Sequence, residues 1–201
     1  MIDAAERIVA ERGLAALTLR DVQSSAGQSN KSAAKYHFGS REGLLDAVIE
    51  ARMSPVNGRR QEMLDALAAQ PERPRVRQAV EALIQPLAAE TLGRTESRYA
   101  RFLVQATHDP GLADSIQHHM SAASFRRVRE LLTELAPVPR DVAEWRVVNI
   151  INLNLVTLAR WERHDRSLQQ TAAIISDLVT TCVAVLETPV TATLDTEGHI
   201  T

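Results

Sequence analysis

The chain has 201 residues, a formal net charge of −2 and 45 % hydrophobic side chains. That length suits a small headpiece plus one further domain, and the balanced charge excludes a chain that is basic throughout, so contact with a polyanion has to be local. The one cysteine, Cys182, excludes an internal disulfide and fits a reducing cytoplasm; its plain role is that of a small buried apolar residue.

At the N-terminus, Ile2, Ala5, Ile8 and Val9 recur at helical spacing and Gly13 is placed to stop the helix. No basic segment precedes a continuous apolar run here, so no signal peptide is expected. Thr18, with Asp21 three residues on, resembles a capping box with Asp in place of Glu. It predicts a second helix that turns Leu19, Val22 and Ala26 inward and ends near Gly27. Asn30 or Ser29 then caps a third helix reaching about Phe38. Ser40 caps a fourth, with the apolar stripe Leu44, Leu45, Val48 and Ile49. A helix, a glycine turn and a short helix ending in aromatics have the outline of a helix-turn-helix.

The chain has 21 arginines and only two lysines, Lys31 and Lys35, which fall four residues apart on one face of the third helix. No acidic residue occurs from Val22 to Ser40. With His37, and Arg41 just beyond, the lysines make a local positive surface that suits a phosphate backbone. An ordinary solvated helix face is the alternative at this point. Residues 1–55 hold seven basic and seven acidic side chains, so the region is neutral as a whole.

The pieces AERIVAERG (residues 5–13), LTLRDV (17–22), Ala26-Gly27, Tyr36-His37-Phe38, Ser40-Arg41-Glu42 and Leu44-Leu45 carry a resemblance in their combined spacing. Over residues 2–50 the chain resembles the DNA-binding domain of the TetR family of bacterial transcriptional regulators. It departs from the family in one respect. Eight residues (QSNKSAAK) separate Ala26-Gly27 from Tyr36 where the family usually has seven, which puts an extra residue in the turn at Gln28 or Ser29. Gln28 also stands where an apolar residue is usual. The resemblance implies that the third helix enters the major groove of double-stranded DNA with Lys31, Ala33 and Lys35 facing it. It implies that Arg20 reaches a base from the second helix, arginine being the best bidentate reader of guanine. Thr18, Tyr36, His37 and Arg41 would hold the DNA backbone. Lys35 stands where the family usually has an aromatic, so it can serve phosphate or base. For His37 a helix-end cap beside Phe38 is the alternative.

Beyond residue 60 glycines are scarce and no period-2 pattern appears, so the rest reads as helical. The fourth helix, kinked or broken at Pro55, ends by Pro71 and Pro74. A fifth, interrupted at Pro86, ends at residues 93–96. A sixth closes at Asp109-Pro110-Gly111, and a long seventh at Pro137-Val138-Pro139. Residues 164–167 separate an eighth from a ninth, which Pro189 stops. The fold class is therefore all-α, with about nine helices. Residues 1–45 form a three-helix helix-turn-helix domain and residues 46–187 a helical ligand-binding and dimerisation domain. Residues 188–201 form a loosely ordered tail, which holds five threonines and no helical stripe.

Residues 143–161 and 171–186 are apolar around most of their circumference, and Asp177 is the only charge in the second of them. Such helices must be buried on nearly every side. One side can meet the chain's own core. The other suggests a second copy, in a twofold four-helix bundle with Ile151, Leu158, Ile175 and Val179 in the interface. A fully internal hairpin in a monomer is the alternative. The family's habit of dimerising through its last two helices favours the homodimer. No apolar run reaches the roughly 20 residues of a membrane span, so no membrane partner and a cytoplasmic location are expected.

Candidate ligand chemistry is sparse. Phe102, Gln105 and His108 share roughly one face of the sixth helix, and Met120 and Phe125 lie on the seventh; they line a pocket or are plain core. Asn149 and Asn152, near Trp145, bind a ligand or hydrogen-bond across the dimer, since buried amides need partners. His118 and His119 point in different directions without a carboxylate or cysteine at helical spacing, so no metal is expected. No GxSxG, phosphate-binding glycine loop or HExxH is present, so neither an enzyme nor a cofactor is expected. The reading is a ligand-responsive DNA-binding transcriptional regulator, a repressor that binds a palindromic operator as a dimer and is released by a small, largely hydrophobic effector. The alternative is an all-helical ligand-binding or scaffold protein with a headpiece that does not read sequence.

Overall fold

A computed structural model describes residues 1–27 and 33–190, with Ala33 described in its backbone only. The expected cap at Asn30 or Ser29, the extra turn residue at Gln28 or Ser29, Lys31, and residues 191–201 of the expected tail lie outside the described residues.

Every regular element among the described residues is helical. Helix α1 (Ile2–Arg12) stops at Gly13, whose φ of 89° is one that side-chain-bearing residues rarely adopt. A 3-10 turn at Leu14–Ala16 leads into α2 (Leu19–Ser25). The Thr18 hydroxyl caps α2, accepting the Asp21 N–H at 3.1 Å and donating to the Asp21 carboxylate at 2.6 Å. Helix α3 (Ala33–Phe38) follows. Ser40 then caps α4 (Arg41–Ala68), accepting the Gly43 N–H at 3.0 Å. Ala5, Ile8, Val9, Val22, Leu44, Leu45, Val48 and Ile49 are buried together in one apolar cluster, and Ala34 of α3 is also fully buried.

The 28 residues of α4 run unbroken through Pro55, over about 42 Å. The break allowed for at Pro55 does not occur, for a physical reason. Pro55 and Ala51, whose carbonyl the proline ring frees, both lie on the solvent side. Both halves of the helix are held by neighbours, α1 on one side and α5 and α8 on the other. Pro86 is buried, and it too sits inside an uninterrupted helix, α5 (Val76–Glu90), held by packing against α4, α8 and the last helix.

The order continues with α6 (Tyr99–Ala106), a 3-10 turn at Pro110–Leu112, α7 (Ala113–Met120), α8 (Ala123–Leu135), α9 (Arg140–Trp161) and α10 (Leu168–Glu187). The expected long seventh helix is therefore two. Ala122 leaves helical geometry at φ −57°, ψ 138°, and neither glycine nor proline marks the break. A reciprocal Ser167–Gln170 capping box starts α10.

One apolar cluster reaches from Ala4 to Leu186, and polar clamps join head to body across it. The Gln105 side chain on α6 accepts the Leu14 N–H at 3.1 Å and donates to the Val9 carbonyl at 2.8 Å. Arg52 on α4 pairs with Asp3 and with buried Glu6 of α1. Burial raises the Glu6 carboxyl above its ordinary range, while Arg52 pulls it back. Glu162, capping the end of α9, is buried at the start of α6. Its carboxylate accepts the N–H groups of Ala100 and Arg101, each at 3.1 Å, and the Ser97 hydroxyl at 2.7 Å.

Candidate functional site

Two regions carry chemistry, the outer face of α2 and α3 and a cavity inside the body. On the first, Arg20 projects from the first turn of α2, exposed and without an ion pair among the described residues. Lys35, Tyr36 and His37 follow one another on α3, all exposed. Tyr36 is 86 % exposed, with its ring edge-on to His37 at 5.4 Å between centroids. An aromatic this bare beside a cation and an imidazole gains nothing from the fold. It is available to a sugar–phosphate backbone, as are the lysine and histidine. Ala33 opens α3, and Lys31 lies outside the described residues. Thr18 is exposed, but its hydroxyl is engaged in both directions with Asp21.

Arg41 is placed differently from the expectation of a free phosphate contact. Its Nε donates to the Leu17 carbonyl at 3.2 Å and one terminal nitrogen to the Leu14 carbonyl at 2.8 Å. The other terminal nitrogen lies 3.4 Å from Glu42. The guanidinium thus ties the start of α4 to the connection between α1 and α2. Arg41→Ala should lower the unfolding free energy by about 2–4 kcal/mol, as two charge-assisted bonds are lost, measured by urea denaturation. An unchanged midpoint together with a salt slope flattened by about one unit would return Arg41 to the phosphate role.

The cavity has a volume of about 340 Å³, is lined by residues of α4, α5, α6, α7, α8 and α9, and opens to solvent on one side. Met120 and Phe125 line it, and Asn152, exposed on α9, stands at its rim. Other expected residues lie elsewhere. Phe102 is buried against Tyr99, the rings stacked at 5.9 Å. Gln105 serves the head–body clamp. His108 is exposed, and its Nδ1 sits 2.8 Å from the Val104 carbonyl. Trp145 and Asn149 lie on the outer face of α9, where Trp145 borders a groove with Arg126 and Arg129 of α8.

The polar groups in the cavity are ones that sequence reasoning passed over. Arg60 is 2 % exposed, donates to Asn57 Oδ1 at 2.8 Å, and lies with its guanidinium carbon 5.2 Å from the Phe125 ring centre. Burial pushes its pKa down to about 10. Asn154, 4 % exposed, has an amide oxygen without a hydrogen-bond partner. His119 also lines the space, and its Nε2 is 3.6 Å from Glu50. Burial lowers the His119 pKa, with Glu50 acting in the opposite sense. A signal for two of these was present. Ile49, Met53, Val56, Arg60, Leu64 and Leu67 keep the three- and four-residue spacing of a core-facing stripe, with an arginine in an apolar slot. Asn154 fills the same kind of slot between Ile150 and Leu158.

Comparisons with known proteins agree with this arrangement. The family model described as bacterial regulatory proteins, tetR family, matches residues 1–48. A second, described as the tetracyclin repressor-like C-terminal domain, matches residues 81–185, over half of the chain. No curated protein sequence matches. Among solved structures, the ketosteroid transcriptional regulator KstR2 of Mycobacterium tuberculosis is similar at TM-score 0.61 and 16 % identity, over 94 % of this chain and 93 % of that one. FadR from Bacillus subtilis, solved in complex with stearoyl-CoA, is similar at TM-score 0.64 and 14 % identity, over 92 % and 97 %. PfmR from Thermus thermophilus is similar at TM-score 0.61 and 15 % identity, over 94 % and 98 %. At such identities the structures attest to fold, and the family models carry the assignment: the chain belongs to the TetR family of bacterial transcriptional regulators.

Proposed function

We propose that this regulator binds a palindromic operator as a homodimer, represses transcription there, and is released when a largely hydrophobic small molecule fills the cavity. The observation that carries the reading is the course of α4. It starts three residues after α3 ends and supplies Ile49, Met53 and Arg60 to the cavity wall. A molecule in the cavity therefore presses on the helix that carries the reading head. Helix α6 gives a second route. Leu103 and Thr107 line the cavity while Gln105, between them, grips Val9 and Leu14. An unbroken α4 carries a push from the cavity to the head without a break at Pro55.

Half-sites lie about one helical turn apart, roughly 34–36 Å, or a multiple of that, so a changed separation of the two heads breaks simultaneous docking. The effector acts only by binding one separation better than the other. An apolar ligand body is in keeping with FadR, of similar fold, which was solved with stearoyl-CoA.

The dimer rests on α9 and α10. By length and composition α10 could cross a membrane, yet only 17 % of its most apolar window is buried within the single chain. We read that bare surface as the meeting face of two copies of a cytoplasmic protein. On this reading the residues that would face a second copy are not the ones expected from sequence. Leu158 and Val179 are buried in the chain's own core, Ile151 lines the cavity, and Ile175 packs against the core. The outward face of α9 carries Trp145, Val148 and Val156 instead, and that of α10 the small residues Ala172, Ala173 and Ser176.

A salt-titrated gel shift on fragments flanking the protein's own gene tests the reading. A steep loss of affinity with salt supports it, and no shift on any fragment would favour the scaffold alternative. On the operator so found, Arg20→Ala should cost about 1–3 kcal/mol and relax preference at one base pair. Equal weakening on all sequences would leave Arg20 a phosphate contact.

A further inference from the structure

The cavity is apolar apart from a few groups, and the most deeply buried of these is a cation. Arg60 keeps only 2 % of its surface in contact with solvent. Its partners are the neutral amide oxygen of Asn57 at 2.8 Å and the face of Phe125 at 5.2 Å. Its Nε has no hydrogen-bond partner, and no carboxylate pairs with it among the described residues. Glu50, which pairs with the cavity-lining His119, is largely exposed. Burying a guanidinium without a counter-ion costs stability, and a chain selected for folding alone would place an aliphatic side chain in this slot between Val56 and Leu64. Asn154 repeats the pattern across the space, with a buried amide oxygen that has no donor.

We propose that Arg60 is the head-group clamp of the cavity, and that the effector is an amphipathic carboxylate: an apolar body among Met53, Leu83 and Leu155, and an anionic head on the guanidinium. This deepens the reading of the cavity as the effector site and rests on it. An arginine fork matches a carboxylate with two parallel N–H···O bonds, and the match is strongest where water is excluded. The guanidinium holds its charge there even though burial lowers its pKa to about 10. The Asn154 oxygen accepts from a hydroxyl or N–H on the ligand body. The volume, about 340 Å³, lies at the small end of the roughly 300–1,000 Å³ usual for ligand pockets. It suits one chain or fused-ring body with its head, and a nucleotide would have to remain outside.

The test is calorimetric titration of the full chain with decanoate, decanol and decylamine, which share a body and differ in head. Decanoate should bind about tenfold or more tighter than decanol, with decylamine weakest. Arg60→Met should erase the difference between acid and alcohol. It should also raise the melting temperature of the probe-free protein, because an unpaired buried charge is gone. A residue with a purely structural role would lower it. Arg60→Lys should keep part of the preference. Equal binding of acid and alcohol, a preference that survives Arg60→Met, or no binding of any of the three would overturn the proposal. Should Arg60→Met not fold, the head-group series on the unaltered chain and on Arg60→Lys still decides. Operator gel shifts on the same preparations separate the two readings. A chain that shifts DNA without preferring carboxylate loses the clamp alone. One that prefers carboxylate and never shifts DNA loses the regulatory reading alone.

Discussion

Replacing Glu162 with alanine is expected to destabilise the fold by about 3–5 kcal/mol, the largest loss foreseen for a single polar side chain here. The carboxylate is 1 % exposed and lies 3.6 Å from the Arg101 guanidinium. It also satisfies two of the N–H groups that the first turn of α6 leaves open, those of Ala100 and Arg101, and the Ser97 hydroxyl. Its negative charge sits at the positive end of that helix. Alanine would leave buried donors and a largely covered cation without an acceptor, and an unmade buried bond costs more than a made one contributes. Glu162→Gln should fall between the two, because one amide oxygen replaces two carboxylate oxygens and the amide nitrogen faces donors. Urea denaturation at a fixed chain concentration measures both. A loss below about 1 kcal/mol for Glu162→Ala would mean that water takes over the role of the carboxylate. The variant should also weaken DNA binding near its melting temperature, since α6 carries the Gln105 clamp on the head.

The features readable from sequence were those set by local chemistry. Thr18 and Ser40 cap helices because a short side-chain oxygen meets an open N–H three residues on, and Gly13 ends one because of its φ. Those interactions need no knowledge of the rest of the fold. The misreadings all depend on neighbours. Pro55 and Pro86 stay inside helices because packing on both sides outweighs one lost hydrogen bond. The α7–α8 break at Ser121 and Ala122 has no glycine or proline to announce it. Arg41 looks the same in sequence whether it faces phosphate or two carbonyls. Helices apolar on every side, as α9 and α10 nearly are, say that both faces are covered without saying which one meets the chain's own core. That is why Leu158 and Val179, expected between two copies, lie inside one. Arg60 and Asn154 were legible in principle as polar residues in apolar register.

The phase of α9 becomes testable by contrasting two positions two residues apart. Val156 is 58 % exposed in the single chain, and Leu158 is 0 % exposed. Val156→Glu should leave each chain folded, with its melting transition intact but no longer dependent on concentration. In the dimer the new carboxylate would lose hydration without gaining a partner, and twofold symmetry would place two of them at the interface, at a cost of several kcal/mol. The protein should then run as a monomer in analytical ultracentrifugation. Operator affinity should fall by about a hundredfold or more, because the second head no longer acts at high effective concentration. Leu158→Glu should behave otherwise. The same charge would enter the chain's own apolar core, where Leu158 is fully buried, and the chain should unfold or aggregate before any question of dimerisation arises. A Val156→Glu protein that stays dimeric at micromolar concentration and binds the operator normally would show that the outer face of α9 is not where two copies meet.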